Sequence, residues 1–159
     1  MLRLPALALL LALVAGCDAA NADGQRLFEQ QALLGVPSGL TRTAADGRVL
    51  STDADDWRVG PAYATRVVAV DPPFPNPVSA RESASLPVNS NGTRGGLALA
   101  VLEADGRLRQ IAEAPRATDP GLPTLSFFGS QLGLTAGLYR LVLLDGAGGV
   151  VSYGDVELR

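Results

Sequence analysis

Leu138-Tyr139-Arg140-Leu141-Val142-Leu143-Leu144, then Asp145-Gly146-Ala147-Gly148-Gly149, then Val150-Val151-Ser152-Tyr153 read as two strands joined by a glycine-rich turn. The first run is apolar except for Arg140, and the glycines offer the positive φ that a tight reversal requires. The same pattern recurs upstream, where Leu97 to Leu102 and Leu108 to Ala112 flank Asp105-Gly106. Ala64 to Val70, Thr124 to Phe128 and Asp155 to Leu158 are further β-type runs. Glu82 to Val88 is another candidate strand, which Pro87 demotes to a sheet edge or a strand end because proline cannot donate to a ladder. About seven short strands with turns roughly every ten residues predict a mostly β chain folded as an antiparallel sandwich.

Ahead of these strands the periodicity changes. Gln25 to Leu34 predicts a short helix, with Asp23 near its N-cap, Leu27, Phe28 and Leu34 near one face, Gly35 as a stop and Pro37 beyond. Residues 37–61 are rich in turn formers. The expected organisation is a helix and turn-rich segment over 25–61 and a β-sandwich over 62–159.

The first sixteen residues belong to neither part. Arg3 precedes a run from Leu4 to Val14 that is almost all Leu and Ala, and the run closes on Val14-Ala15-Gly16-Cys17. It is too short to cross a hydrocarbon core, which needs about twenty apolar residues. With its small residues before the only Cys of the chain, it resembles a bacterial lipoprotein signal ending in a lipobox. The resemblance implies cleavage after residue 16, a diacylglyceryl thioether on Cys17 and a fatty acyl group on its new amino terminus. Residues 17–24, small and polar, then read as a flexible tether. The implied location is the cell envelope, with the outer membrane expected and the membrane itself as partner through Cys17.

From Cys17 onward, sixteen acidic residues face twelve arginines, so no nucleic-acid footprint is expected. There is no His and no Lys. With the lone Cys assigned to acylation, Ser-His-Asp and Cys-His nucleophiles, Schiff-base chemistry and the usual zinc, copper or haem ligand sets are excluded. Paired carboxylates would suffice for a glycosidase, yet no spacing pairs two of them, and the aromatic residues are few. No enzymatic activity, cofactor or small-molecule substrate is therefore expected.

Three local patterns carry sharper readings. Asp53, Asp55 and Asp56 have the alternating carboxylates of a calcium site, but lack its Gly and closing Glu; solvated turn residues are the competing expectation. Trp57 either plugs the edge of the core or stands as a sugar-stacking platform. Asp145 to Gly149 and Asn91-Gly92-Thr93 suggest an anion loop and a glycosylation sequon, and both read more simply as turns.

Phe74-Pro75-Asn76-Pro77-Val78, the hairpin around Asp105-Gly106, and Ala136-Gly137-Leu138-Tyr139-Arg140-Leu141 together resemble the C-terminal immunoglobulin-like sorting or accessory domains of the type IX secretion system. The likeness covers residues 74–159. It implies an immunoglobulin-like β-sandwich with Tyr139, Leu141 and Leu143 in the core and Arg140 and Asp155 facing outward. Pro37 to Thr43, Asp55 to Arg58 and Ser152 to Asp155 are similar to segments of small uncharacterised bacterial lipoproteins, a likeness that brings no activity. The expected function is a non-enzymatic, lipid-anchored envelope or surface protein whose sandwich makes protein contacts or assists an assembly, a partner adding at the edge strand near Pro87 or at the exposed N-terminal segment. The alternative is a small carbohydrate-binding module using Trp57 and calcium.

Overall fold

The computed structural model describes residues 21–92, 95–114 and 121–159. The signal segment, Cys17, residues 17–20 of the tether and Thr93 of the sequon lie outside the described residues.

A helix, α1, occupies residues 21–34. Residues 21–24, expected as tether, are its first turn, and Asp23 lies inside it, pairing with Arg26 one turn on. Nine strands follow: β1 (Arg42–Thr43), β2 (Val49–Ser51), β3 (Val67–Val70), β4 (Ser83–Ser90), β5 (Leu97–Leu102), β6 (Leu108–Ala114), β7 (Thr124–Phe128), β8 (Gly137–Asp145) and β9 (Val150–Leu158). β1 and β2 form a small hairpin; the other seven make two antiparallel sheets, β3-β4-β7 and β6-β5-β8-β9. Reading β3 to β9 as A, B, C, C′, E, F and G gives A-B-E facing C′-C-F-G, an immunoglobulin-like sandwich.

Between the sheets lie Leu86, Val88, Leu99, Val101, Leu125, Phe127, Leu141 and Leu143, all buried. β8 is apolar on both faces for a reason that alternation alone does not supply. Leu141 and Leu143 point into the sandwich, while Val142 joins Phe28, Ala32, Val150 and Tyr153 in a second cluster beneath α1. The helix therefore covers the outer face of the four-stranded sheet, and a strand covered on both sides reads as a continuous apolar run.

The Pro-Asn-Pro segment is a strap between the sheets. Phe74 bridges to Ser85 of β4, and Val78 bridges in parallel to Leu158 of β9. Between them Asn76, fully buried, donates to the carbonyls of Thr41 and Asp155 and accepts from the Glu157 amide. Trp57 and Gly60 donate backbone N–H groups to Tyr153 and Val151. The free edge of β9 is thus sealed by loops and side chains, which removes a template for strand addition.

Pro87 was expected at a sheet edge or a strand end, but it lies inside β4, the central strand of its sheet. β3 ends at Val70, opposite Val88, and just beyond it the Asp71 amide donates to the Pro87 carbonyl, a bond that Pro87 accepts but cannot return. Trp57, by contrast, takes its expected core position, 5% exposed, with its ring lying on Gly154. A methyl group at position 154 would overlap that ring. Gly154→Ala is expected to cost about 1–3 kcal/mol, read as a lower urea midpoint and a red shift in the fluorescence of the sole Trp.

Candidate functional site

The polar centre of the molecule is a charge pair that the sequence placed in solvent. Arg140 and Asp155, expected to face outward, are 6% and 0% exposed. They do point away from the sandwich interior, as the alternation of β8 and β9 requires, but α1 and the segment after it close over them. Arg140 Nε and Nη2 donate to the two carboxylate oxygens of Asp155 at 2.5 and 3.0 Å, a bidentate arrangement. The remaining donors reach the carbonyls of Gln31 and Val36, and the guanidinium lies 4.9 Å from the centroid of the Tyr153 ring. Asp155 also accepts from the Ser38 amide. Burial by itself would lower the Arg140 pKa, but the hydrogen bonds and charge of Asp155 raise it overall, so the side chain is a permanent cation.

Asp56 completes this centre. Its two oxygens accept the amides of Thr41 and Asp155, each at 2.8 Å. Burial pushes its carboxyl above the ordinary value, with the two amide bonds pulling the other way and the Asp155 charge adding to the rise.

The three aspartates of the calcium reading do not converge. Asp53 turns back to accept the Asp55 amide, exposed Asp55 pairs with Arg58, and Asp56 points inward to the two amides. Among the described residues no group of three His, Cys, Asp or Glu side chains is placed to hold a metal ion. Each carboxylate is instead claimed by a backbone or arginine donor, so alternating spacing in a turn did not become a common centre. Burial of Trp57 likewise removes the platform on which the carbohydrate reading stood. The Asp145 to Gly149 glycines form the β8–β9 turn, where Asp145 accepts the amides of Ala147 and Gly149 and leaves no cradle for an anion. Tyr139 packs partly against the core and donates to the Thr135 carbonyl.

Next to the buried pair is a groove of about 740 Å³. One wall is the end of α1 with Leu33, Leu34, Val36 and Pro37, another is Leu132 to Leu134, the third is the start of β8, and the β5–β6 turn closes it. Its two guanidinium groups are already used: Arg109 donates to Glu103 and to the carbonyls of Gln131 and Leu132, and Arg140 is spent as above. The groove is lined mostly by apolar residues, with Glu103, Arg109, Tyr139 and Arg140 as its polar side chains. Sequence periodicity missed it because its walls come from four separate segments; the visible signal was Leu132 and Leu134 in the β7–β8 connection, where polar residues are usual.

Compared with models of known protein families and with curated proteins, the chain matches none.

Two expectations follow from this centre. Arg140→Met leaves Asp155 buried without its counter-ion and should cost about 3–5 kcal/mol, measured by urea unfolding, with faster amide exchange in α1; adding Asp155→Leu should recover part of the loss. Asp56 should titrate above ordinary aspartates in carboxyl ¹³C spectra. Because the folded carboxyl binds its proton more tightly than the unfolded one, its contribution to stability falls as pH rises from the ordinary carboxylate range through the raised folded value. Wild-type stability relative to Asp56→Asn should decline across that window, and a difference that rises or stays flat would contradict the assignment.

Proposed function

We propose that this protein is a non-enzymatic, lipid-anchored component of the bacterial cell envelope, held to the outer membrane through Cys17, with its β-sandwich serving as a protein-interaction or assembly accessory module. The observation that carries the anchor is the Leu/Ala run closing on Val14-Ala15-Gly16-Cys17, with no second Cys in the chain. A single acyl chain holds a protein only marginally, whereas two or more give stable attachment. Among the described residues no helix is long and apolar enough to cross a membrane, so attachment in this reading rests on the lipid.

Support for a contact role comes from what the chain does with its polar groups. It has no His and no Lys. Buried Arg140, Asp155 and Asn76 and half-buried Asp56 are spent on holding α1 and the edge of β9. The burial that raises the Tyr63 phenol pKa, reinforced by Asp145, keeps that group protonated as well. The resemblance to sorting and accessory domains of the type IX secretion system supports an assembly role on the same sandwich.

The test is expression of the full chain in a bacterium that processes lipoproteins, with fatty-acid labelling and mass spectrometry. The expected product begins at Cys17, carries acyl chains and sediments with membranes; Cys17→Ser should lose the label and the membrane association together. A wild-type product that is uncleaved or carries an unmodified Cys17 would reject the anchor. Cross-linking in intact envelopes should then capture a stoichiometric protein partner.

A further inference from the structure

We infer that the outward stripe of α1 and the rim of the neighbouring groove rest on a lipid surface, so that the domain meets the membrane through protein as well as through its acyl chains. This rests on the lipidation of Cys17 and adds to it an orientation.

On α1, Gln25, Phe28 and Ala32 are buried against the sheet. Leu27 and Leu34 are seven residues apart and share one stripe, about 140° around the helix from the buried one at 100° per residue. A helix on the surface of a domain ordinarily carries polar side chains there. Here Leu34, 79% exposed, and exposed Leu27 stand on it alongside exposed Asp23 and Gln30. The apolar surface continues past the helix end, because Val36, Leu134 and Leu138 line the same groove as Leu34 and are exposed too. Among the described residues, five of the eleven exposed large apolar side chains thus gather along α1 and at its end. Such a concentration marks a contact surface.

The length of chain between Cys17 and α1 identifies the occupant. Four residue steps span at most about 14 Å, so the start of α1 is held within that distance of the acylated Cys. The helix itself is about 20 Å long. Laid flat, it places Leu27, Leu34 and the groove rim against the surface in which the acyl chains are embedded, with the sandwich on its far side. The opposition of the buried and apolar stripes is what such a sandwiched helix requires. A protein partner would have to enter the gap between an anchored helix and its own membrane.

Charge excludes an electrostatic version of the contact. Arg26 pairs with Asp23, while Arg109 and Arg140 are consumed by internal hydrogen bonds, so no basic cluster faces the surface. The contact is apolar and independent of anionic lipid and of salt.

Acylation of Cys17 leaves no free thiol, so a single introduced Cys can carry an environment-sensitive dye. Lipidated full-length Leu34→Cys, Leu134→Cys and, as control on the opposite sheet, Ser126→Cys would be placed in phosphatidylcholine vesicles with and without spin-labelled lipid. The expected result is a blue shift and quenching at positions 34 and 134, none at 126, and no change between low and high salt. The double substitution Leu27→Gln and Leu34→Gln, at exposed positions, should speed transfer of the lipidated protein between vesicles by at least about tenfold. Acylated Cys17 with unquenched dyes at 34 and 134 overturns the docking and leaves the anchor standing. Cross-linking of these positions to a second copy or to another protein, in place of quenching, also overturns it. An unmodified Cys17 in the mass spectrum of the wild type overturns the anchor itself and the docking with it.

Discussion

A guanidinium and a carboxylate removed from water between a helix and a sheet need every donor and acceptor met, because desolvating each costs several kcal/mol (about that order) and their attraction returns it only in good geometry. Arg140 and Asp155 set this requirement here. Their own pairing across β8 and β9 meets part of it, and the rest is supplied by the carbonyls of Gln31 and Val36 and the amide of Ser38. The helix end and the chain just beyond it are therefore held in one place. Phe28 and Ala32 then bury the outer face of β8, and the groove exists because the end of α1 stops there.

The same logic extends along β9. Asp56 and Asn76 act as substitutes for a neighbouring strand, offering acceptors and donors to the Asp155 and Glu157 backbone. A terminal strand that would otherwise invite pairing with another chain is closed, and the Pro-Asn-Pro strap ties the closure to both sheets. The buried polar side chains of this centre are consumed by architecture, and five of the eleven exposed large apolar side chains among the described residues lie along α1 and at its end.

The chain has no His and no Lys, and its buried ion pair is committed to holding a helix. An acylated Cys17 would place the same helix beside a membrane. In that proposal anchor, helix, buried pair and groove would together hold the sandwich at a surface.

The β-sandwich was legible in the sequence because its signals are local. Apolar runs of strand length and Asp-Gly turns place β5, β6, β7 and β8 with their bounds almost unchanged, and Leu141 and Leu143 enter the core by alternation alone. The fate of Arg140 and Asp155 was not legible. Counting from the pair Leu144 and Val150 sets Arg140 opposite Gly154; a bulge at Leu143/Leu144 shifts the register by one and brings Asp155 across from it. Nor does alternation tell an outer face open to water from one covered by a helix more than a hundred residues away in the chain. The sequence by itself determined most of the sandwich strands, their Asp-Gly turns, the Leu/Ala run that closes on Cys17 and the lack of His and Lys, since each is read from residues adjacent in the chain. Tertiary structure alone decided the central place of Pro87, the scattering of Asp53, Asp55 and Asp56, the buried ion pair and the apolar groove, because each depends on which distant segments pack together.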